Sequence, residues 1–143
     1  MAIKFRKILK KDVGALQKFY AANGMANAAS VSNKFLLRCV ESDLKNYISF
    51  FVAEYKNEIV GAVYFVDHGG LVTVWSLAVN QNYRKMGVGT ALIKMGLKTI
   101  DEKGRSMISA IVDPVNLPSL GLFKKLGFSR ERNRIRLDKI IEK

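Results

Sequence analysis

The chain of 143 residues contains one cysteine, one histidine, one tryptophan and two prolines. A lone cysteine excludes an intramolecular disulfide and a thiolate metal cluster. Cys39 falls at helical spacing from Phe35 and Leu36, which suits a small core residue. The lone histidine, His68, stands in Asp67-His68-Gly69-Gly70, a turn signal. Neither a Ser/His/Asp nor a Cys/His nucleophile set is therefore credible, and no metal site is expected. No Ser/Gly-rich linker, low-complexity tract or internal repeat interrupts the chain, so one domain over residues 1–143 is expected. The apolar runs are too short to span a bilayer, and Met1-Ala2-Ile3-Lys4 does not open a secretory signal. A soluble, cytoplasmic chain with no membrane partner is the expectation.

Acidic charge is also scarce. Lysine and arginine number 24 against 12 acids, a formal net charge of +12, within a composition that is 49% apolar. That balance suits an anionic ligand and keeps a basic module contacting nucleic acid or ribosomes in view. It makes free polyamines uncomfortable substrates. Arg130, Arg132, Arg134 and Arg136 alternate near the C-terminus; in a strand all four would share one face, with Ile135 and Leu137 on the other. Such a face would be either solvated or a stripe that binds an acidic substrate or phosphate.

The most informative stretch runs from Val79 to Leu92. An apolar, β-rich segment ends, Arg84-Lys85-Met86-Gly87-Val88-Gly89-Thr90 follows, and an amphipathic helix begins. The first N–H groups of a helix lack intrahelical partners, and the helix dipole adds partial positive charge at that end. Gly87 and Gly89 let an anion reach the backbone, and Arg84 and Lys85 supply charge. This volume suits a pyrophosphate. The spacing Arg-x-x-Gly-x-Gly fits neither the dinucleotide fingerprint nor the P-loop. The same residues would also serve a plain strand–turn–helix joint.

A second segment separates these readings. Asn116-Leu117-Pro118-Ser119-Leu120-Gly121-Leu122-Phe123-Lys124-Lys125-Leu126-Gly127-Phe128 follows after one further helix and strand. The two segments together resemble motifs A and B of the GCN5-related N-acetyltransferase (GNAT) superfamily. The matches are Arg84, Gly87 and Gly89, then Asn116, Ser119, Leu122, Gly127 and Phe128. The resemblance is clear from about Val52 to Phe128 and loose before that. It implies an α/β (mixed α+β) acyl-CoA N-acyltransferase fold, a central twisted mixed sheet flanked by helices and split in the middle.

The elements read from the sequence have the order βααβββαβαβ. The first strand spans Ala2 to Ile8, with Ile3, Phe5 and Ile8 near one face. Asp12 caps a helix carrying Val13, Leu16, Phe19 and Tyr20, ended by Asn23-Gly24. A second helix runs from about Ser32 to Tyr47, with Leu36, Cys39, Val40, Leu44, Tyr47 and Ile48 inward. A hairpin joins Ser49–Tyr55 to Ile59–Val66 through Lys56-Asn57-Glu58. Leu71–Val79 is a strand, Met86–Lys103 a helix, Met107–Val112 a strand, Leu117–Leu126 a short helix and Phe128–Ile140 a last strand.

The resemblance further implies acetyl-CoA as cosubstrate and direct acetyl transfer to a primary amine of a small molecule or protein. Leu77, Ala78 and Val79 would hold the pantetheine arm, with the Leu77 N–H as oxyanion donor. The turn of Arg84, Lys85, Met86, Gly87, Val88, Gly89 and Thr90 would hold the pyrophosphate. Asn116 would hydrogen-bond the pantetheine or cap its helix; Phe123 would lie beside the sulfur, and Lys124 or Lys125 would reach the nucleotide phosphates. Two departures stand out. Phe123 replaces the tyrosine proposed as general acid in relatives, leaving Ser119 as a surrogate. Thr73 stands where some relatives carry a glutamate base, so Thr73 or Ser76 would have to order water toward Glu54 or Asp113. Many relatives dimerise, so a homodimer is among the expectations. A non-catalytic acyl-CoA-binding or sensing domain is the alternative that Phe123 motivates.

Overall fold

The computed structural model describes residues 2–24, 32–41 and 43–141. The strands β1 (Lys4–Lys7), β2 (Ile48–Tyr55), β3 (Glu58–Asp67), β4 (Leu71–Val79) and β5 (Met107–Ala110) form a sheet in chain order. The pairings are antiparallel except β4–β5, which is parallel. Helices α1 (Asp12–Ala22) and α2 (Asn33–Glu41) precede β2. Helix α3 (Val88–Glu102) is the β4–β5 crossover, and α4 (Leu117–Lys125) follows β5. The two-residue turn Lys56–Asn57 joins β2 to β3 with positive φ at both positions, 48° and 64°, the twist-matched geometry of a tight hairpin.

Side-chain alternation along β2 divides the core in two. Phe50 and Val52 face α1 and α2, together with Val13, Leu16, Phe19, Tyr20, Leu36 and Cys39. Phe51 and Ala53 face the other way, toward Val88, Leu92, Ile93 and Ile100 of α3 and Phe123 of α4. Helices thus cover both faces of a mixed sheet, the expected layering. Gly96 on α3 sets how closely that helix lies on the sheet: a Cβ there would stand 1.9 Å from the Phe65 ring. Among the described residues no helix is long and apolar enough to cross a membrane.

Four local expectations are corrected. Residues 128–140 form no strand, and Arg130, Arg132, Arg134 and Arg136 make no common strand face; Ile135 and Leu137 are 87% and 89% exposed. Alternation supplies a strand's faces but not its hydrogen-bond partner, and among the described residues none pairs with this segment. The second helix stops at Glu41, and a 3-10 turn covers Asp43–Asn46, leaving Tyr47 exposed rather than inward. Apolar periodicity continues across the break, so it does not announce where the helical bonds end. Ile8 packs with the α1/α2 core while Ile3 and Phe5 pack with the opposite one, as odd and even positions of an extended segment must.

The fourth correction concerns Asp12. Its carboxylate is not an N-cap; it accepts from Arg6 (2.7 and 2.9 Å) and from the Leu9 amide (2.7 Å). Arg6 also reaches Glu54 on β2 at 2.6 Å. One guanidinium therefore ties β1, α1 and β2. Burial pushes the Asp12 carboxyl up, but Arg6 and the Leu9 amide outweigh it and hold it below the ordinary carboxylate range; the Arg6 hydrogen bond holds Glu54 low as well. Depressed folded-state values mean that the contribution is complete above the unfolded range near pH 4 and lost as pH falls through the folded values. Unfolding free energy is expected to fall on acidification below about pH 4. Asp12→Asn is expected to cost on the order of 2 kcal/mol at pH 7 and to flatten part of that acid dependence, both measured by denaturant unfolding.

Candidate functional site

Strand β4 carries the site. Across from β3, Gly61 pairs with Val79 and Ala62 with Ala78, but Tyr64 pairs with Trp75. Ser76 and Leu77 therefore oppose Val63 alone. This is a β-bulge, and Ser76 sits in it at φ +60°, a left-handed conformation uncommon for a residue with a Cβ. On its other edge β4 pairs with β5 only from Leu71↔Met107 to Val74↔Ala110. Beyond that point the strands part. The cleft between them is lined by Val74, Ser76 and Leu77 on one side and Ile111, Val112, Asp113, Asn116, Ser119 and Phe123 on the other.

The chain leaves β4 at Val79 and turns toward α3. Asn80 Oδ1 accepts from the Asn82 amide at 2.9 Å and caps a 3-10 turn at Gln81–Tyr83. Arg84 is exposed, and its Nε donates to the Val79 carbonyl at 3.2 Å, folding the side chain back along the end of β4. Lys85 (φ 65°) and Gly87 (φ 80°) then reverse the backbone into the first turn of α3. Gly87 is the N-cap and offers no side-chain bond to the helix amides. The uncapped N–H groups and the positive end of the α3 dipole thus meet open space, with Lys85 exposed beside them.

The two glycines of this turn do different work. A Cβ at Gly87 would meet nothing within 4 Å, so only its left-handed φ and the access it gives to the backbone call for glycine. A Cβ at Gly89 would point into the protein, 3.4 Å from Leu122 and 3.7 Å from Val79. Val88 is 2% exposed, so its side chain belongs to the core. Met86 is exposed and Thr90 half-buried.

Helix α4 supplies the far wall. Asn116 is its N-cap, with Oδ1 accepting from the Ser119 amide at 3.3 Å, and Pro118 occupies the first turn, where its missing N–H is harmless. Ser119 and Phe123, four residues apart, line the cleft on one helical face. Phe123 is buried and packs edge-to-face with Phe128, ring centres 5.0 Å apart. Lys124 and Lys125 are exposed in the last turn of α4 and do not line the cleft.

Leu77, Asn116, Ser119 and Phe123, chosen from the sequence, therefore border one opening. Ala78 is buried with the α1/α2 core, and Val79 packs with the α3/α4 core. Of the proton acceptors considered, Glu54 is held by Arg6 away from the cleft, whereas Asp113 lines it. Thr73 is buried between Val72 and Val74, which both pack toward α3, so alternation turns it to the opposite face. Ile111 and Val112 were not singled out by sequence reasoning; their only signal is their place at the end of the β5 run.

Residues 31–128 match the model of the acetyltransferase (GNAT) family. The chain belongs to the GNAT family. Among its relatives, the N-alpha-acetyltransferase of Sulfurisphaera tokodaii is 36% identical over 99 residues, which are 59% of this chain and 59% of that protein. An uncharacterised N-acetyltransferase of Chlorobaculum tepidum is 30% identical over 97 residues, 65% of this chain and 57% of that protein. The chain thus spans well under two thirds of these relatives' length. In three dimensions it resembles an aminoglycoside acetyltransferase from an uncultured soil metagenomic sample, with TM-score 0.79, 21% identity and coverage of 99% of this chain and 100% of that chain. It also resembles the PaiA N-acetyltransferase of Thermoplasma acidophilum in complex with coenzyme A, with TM-score 0.77, 17% identity and coverage of 92% of each chain. At these identities the structural likenesses establish the GNAT fold.

The unequal roles of the glycines are testable without ligand. Gly87→Ala must adopt a left-handed φ and is expected to cost about 1 kcal/mol. Gly89→Ala, whose Cβ makes an ordinary contact and whose helix propensity is better, is expected to leave the thermal midpoint unchanged or raise it. Thermal unfolding of the two variants against the parent checks both.

Proposed function

We propose that this chain transfers an acetyl group from acetyl-CoA directly to a primary amine. One observation carries the reading: β4 and β5 part just where the uncapped start of α3 opens to solvent, so a donor edge and an anion cradle adjoin. A phosphate fits that cradle, because no side chain caps the helix and a Cβ at Gly87 would find nothing to touch. The turn from Arg84 to Thr90 would hold the pyrophosphate. The β4 edge from Leu77 to Val79 would pair with the pantetheine arm, and Asn116 would bind it from the opposite wall. Acetyl-CoA supplies an activated acyl group, and the chain's residues supply orientation and charge stabilisation.

The Leu77 amide would donate to the thioester oxygen as charge develops there. Nitrogen attack forms the amide bond and breaks the carbon–sulfur bond; the amine gives up a proton and coenzyme A leaves as a thiolate. Phe123 cannot protonate that thiolate, but an alkyl thiol ionises near pH 8.5, so a thiolate is a tolerable leaving group. Ser119, one helical turn from Phe123 on the same cleft wall, would donate to it as a surrogate acid. Asp113 is the carboxylate lining the cleft, oriented by the bond its Oδ1 accepts from the Val115 amide at 3.0 Å. It would draw in the protonated amine and take up its proton.

For the acceptor, a peptide α-amine suits this chain better than a polyamine or an aminoglycoside. It brings one positive charge rather than several to a protein of net charge +12. Relatives named N-alpha-acetyltransferase, 36% and 32% identical, point the same way. The second reading, acyl-CoA binding without turnover, is favoured by Phe123 and is separated from the first by product formation.

Coenzyme A at a hundredfold excess over its dissociation constant is expected to stabilise the protein by about 2.7 kcal/mol. Acetyl-CoA with short peptides bearing free N-termini is expected to release thiol and yield acetylated peptide detected by mass. An unmoved melting temperature in low salt removes the cofactor site; stabilisation without product leaves the binding-only reading. In the same assay Asp113→Asn is expected to lower kcat/KM for the peptide at neutral pH about tenfold, with the coenzyme A dissociation constant unchanged.

A further inference from the structure

Among the described residues, two buried side-chain oxygens lack a hydrogen-bond partner, Tyr20 Oη and Ser76 Oγ. They belong together. Tyr20 is 0% exposed in the core between α1 and the sheet, with Tyr64 and Cys39 as its titratable neighbours. Tyr20 packs in one cluster with Tyr64 and Ala78, which bracket the bulge that holds Ser76. Tyr64 pairs across β3–β4 with Trp75, the residue immediately before Ser76. The phenol therefore lies against the inner side of the bulge whose outer side borders the cleft.

A serine at φ +60° persists only where its surroundings enforce it. Its hydroxyl is buried while the residue itself lines the cleft, so Oγ is turned inward, away from any acceptor amine. Buried hydroxyls left without partners are rare in folded proteins. Two of them around one bulge can satisfy each other by rotation of either side chain, and the Tyr20 phenol, kept neutral by burial, is available as the donor.

We propose that Tyr20 is a positioning residue whose Oη–H donates to Ser76 Oγ, latching the left-handed bulge and so fixing the Leu77 amide where the thioester oxygen is received. This inference rests on the acetyl-transfer reading above. It extends the active site through the sheet to α1, an element that carries neither motif of the family.

The test is a double-mutant cycle on acetyl transfer from acetyl-CoA to the most reactive peptide of the panel. Tyr20→Phe keeps the ring and removes the donor. It is expected to lower kcat about tenfold with KM for acetyl-CoA within about twofold, because the Leu77 bond strengthens only in the transition state. Ser76→Gly removes the acceptor of the same bond, so it is expected to lower kcat to a similar extent. Adding Tyr20→Phe to Ser76→Gly is expected to change nothing further. Parental kcat in Tyr20→Phe overturns the latch. So does an equal loss on adding Tyr20→Phe to the parent and to Ser76→Gly, since that is the mark of a general packing or stability effect. A parent protein that binds coenzyme A but acetylates no amine removes the transfer reading and this inference with it; transfer with an additive cycle removes this inference alone.

Discussion

The parting of β4 from β5 is the constraint on which the site depends. A parallel pair needs a crossover, and α3 is that crossover, so its N-terminus must lie beyond the C-terminal end of β4. The positive end of the helix and the end of the strand are thus brought together by topology alone. What topology does not require is that the strands stop pairing four residues into β5. The bulge at Ser76–Leu77 does that, because an extra residue on one strand bends it and increases its local twist. With pairing ended, the edge of β4 faces a cleft instead of a neighbour, and Asn116, Ser119 and Phe123 close that cleft from α4.

Rigidity on either side of the opening makes it more than a fray. Below it, Phe51, Phe65, Val72 and Val74 are locked against α3, and the approach of that helix is set by the missing Cβ at Gly96. Above it, the α1/α2 core presses on Ala62, Tyr64 and Ala78. The Arg6 guanidinium, bound to carboxylates on α1 and β2, ties this second core to the edge of the sheet. A donor edge held between two packed layers keeps its direction when a substrate arrives, which is the condition for electrostatic preorganisation.

The elements around the cleft were legible because their signals are local. Arg84, Gly87 and Gly89 mark a strand–turn–helix joint; Asn116 and Pro118 mark a helix start; Lys56-Asn57-Glu58 marks a hairpin, whose turn the structure narrows to Lys56–Asn57. What escaped the sequence depends on residues far apart or on conformations that no residue type announces. The alternation from Arg130 to Leu137 has strand periodicity, yet periodicity says nothing about a partner. Asp12 has the form of a cap, but Arg6 and the Leu9 amide claim it. The contrast between Gly87 and Gly89 depends on what surrounds each Cβ position, and both glycines look alike in a motif. Ser76 is the extreme case, since a left-handed φ at serine has no sequence signal at all.

Proton handling follows from where the carboxylates are held. Glu54 and Asp12 are bound to Arg6. Asp67 is bound by the Gly69 amide and by Arg105, which hold its carboxyl below the ordinary range. All three are held by a guanidinium and none lines the cleft, so none is in position to meet an incoming amine. Asp113 differs in both respects: it faces the cleft, and its described partner is a backbone amide rather than a cation. In a molecule of net charge +12 a protonated amine is repelled at long range, and the field it meets at close range decides whether it enters. A single acidic group across from Leu77 supplies that local field. Under the proposed reading, attraction of the ammonium and removal of its proton then fall to one side chain, and the absence of a carboxylate on β4 ceases to be an obstacle to the chemistry.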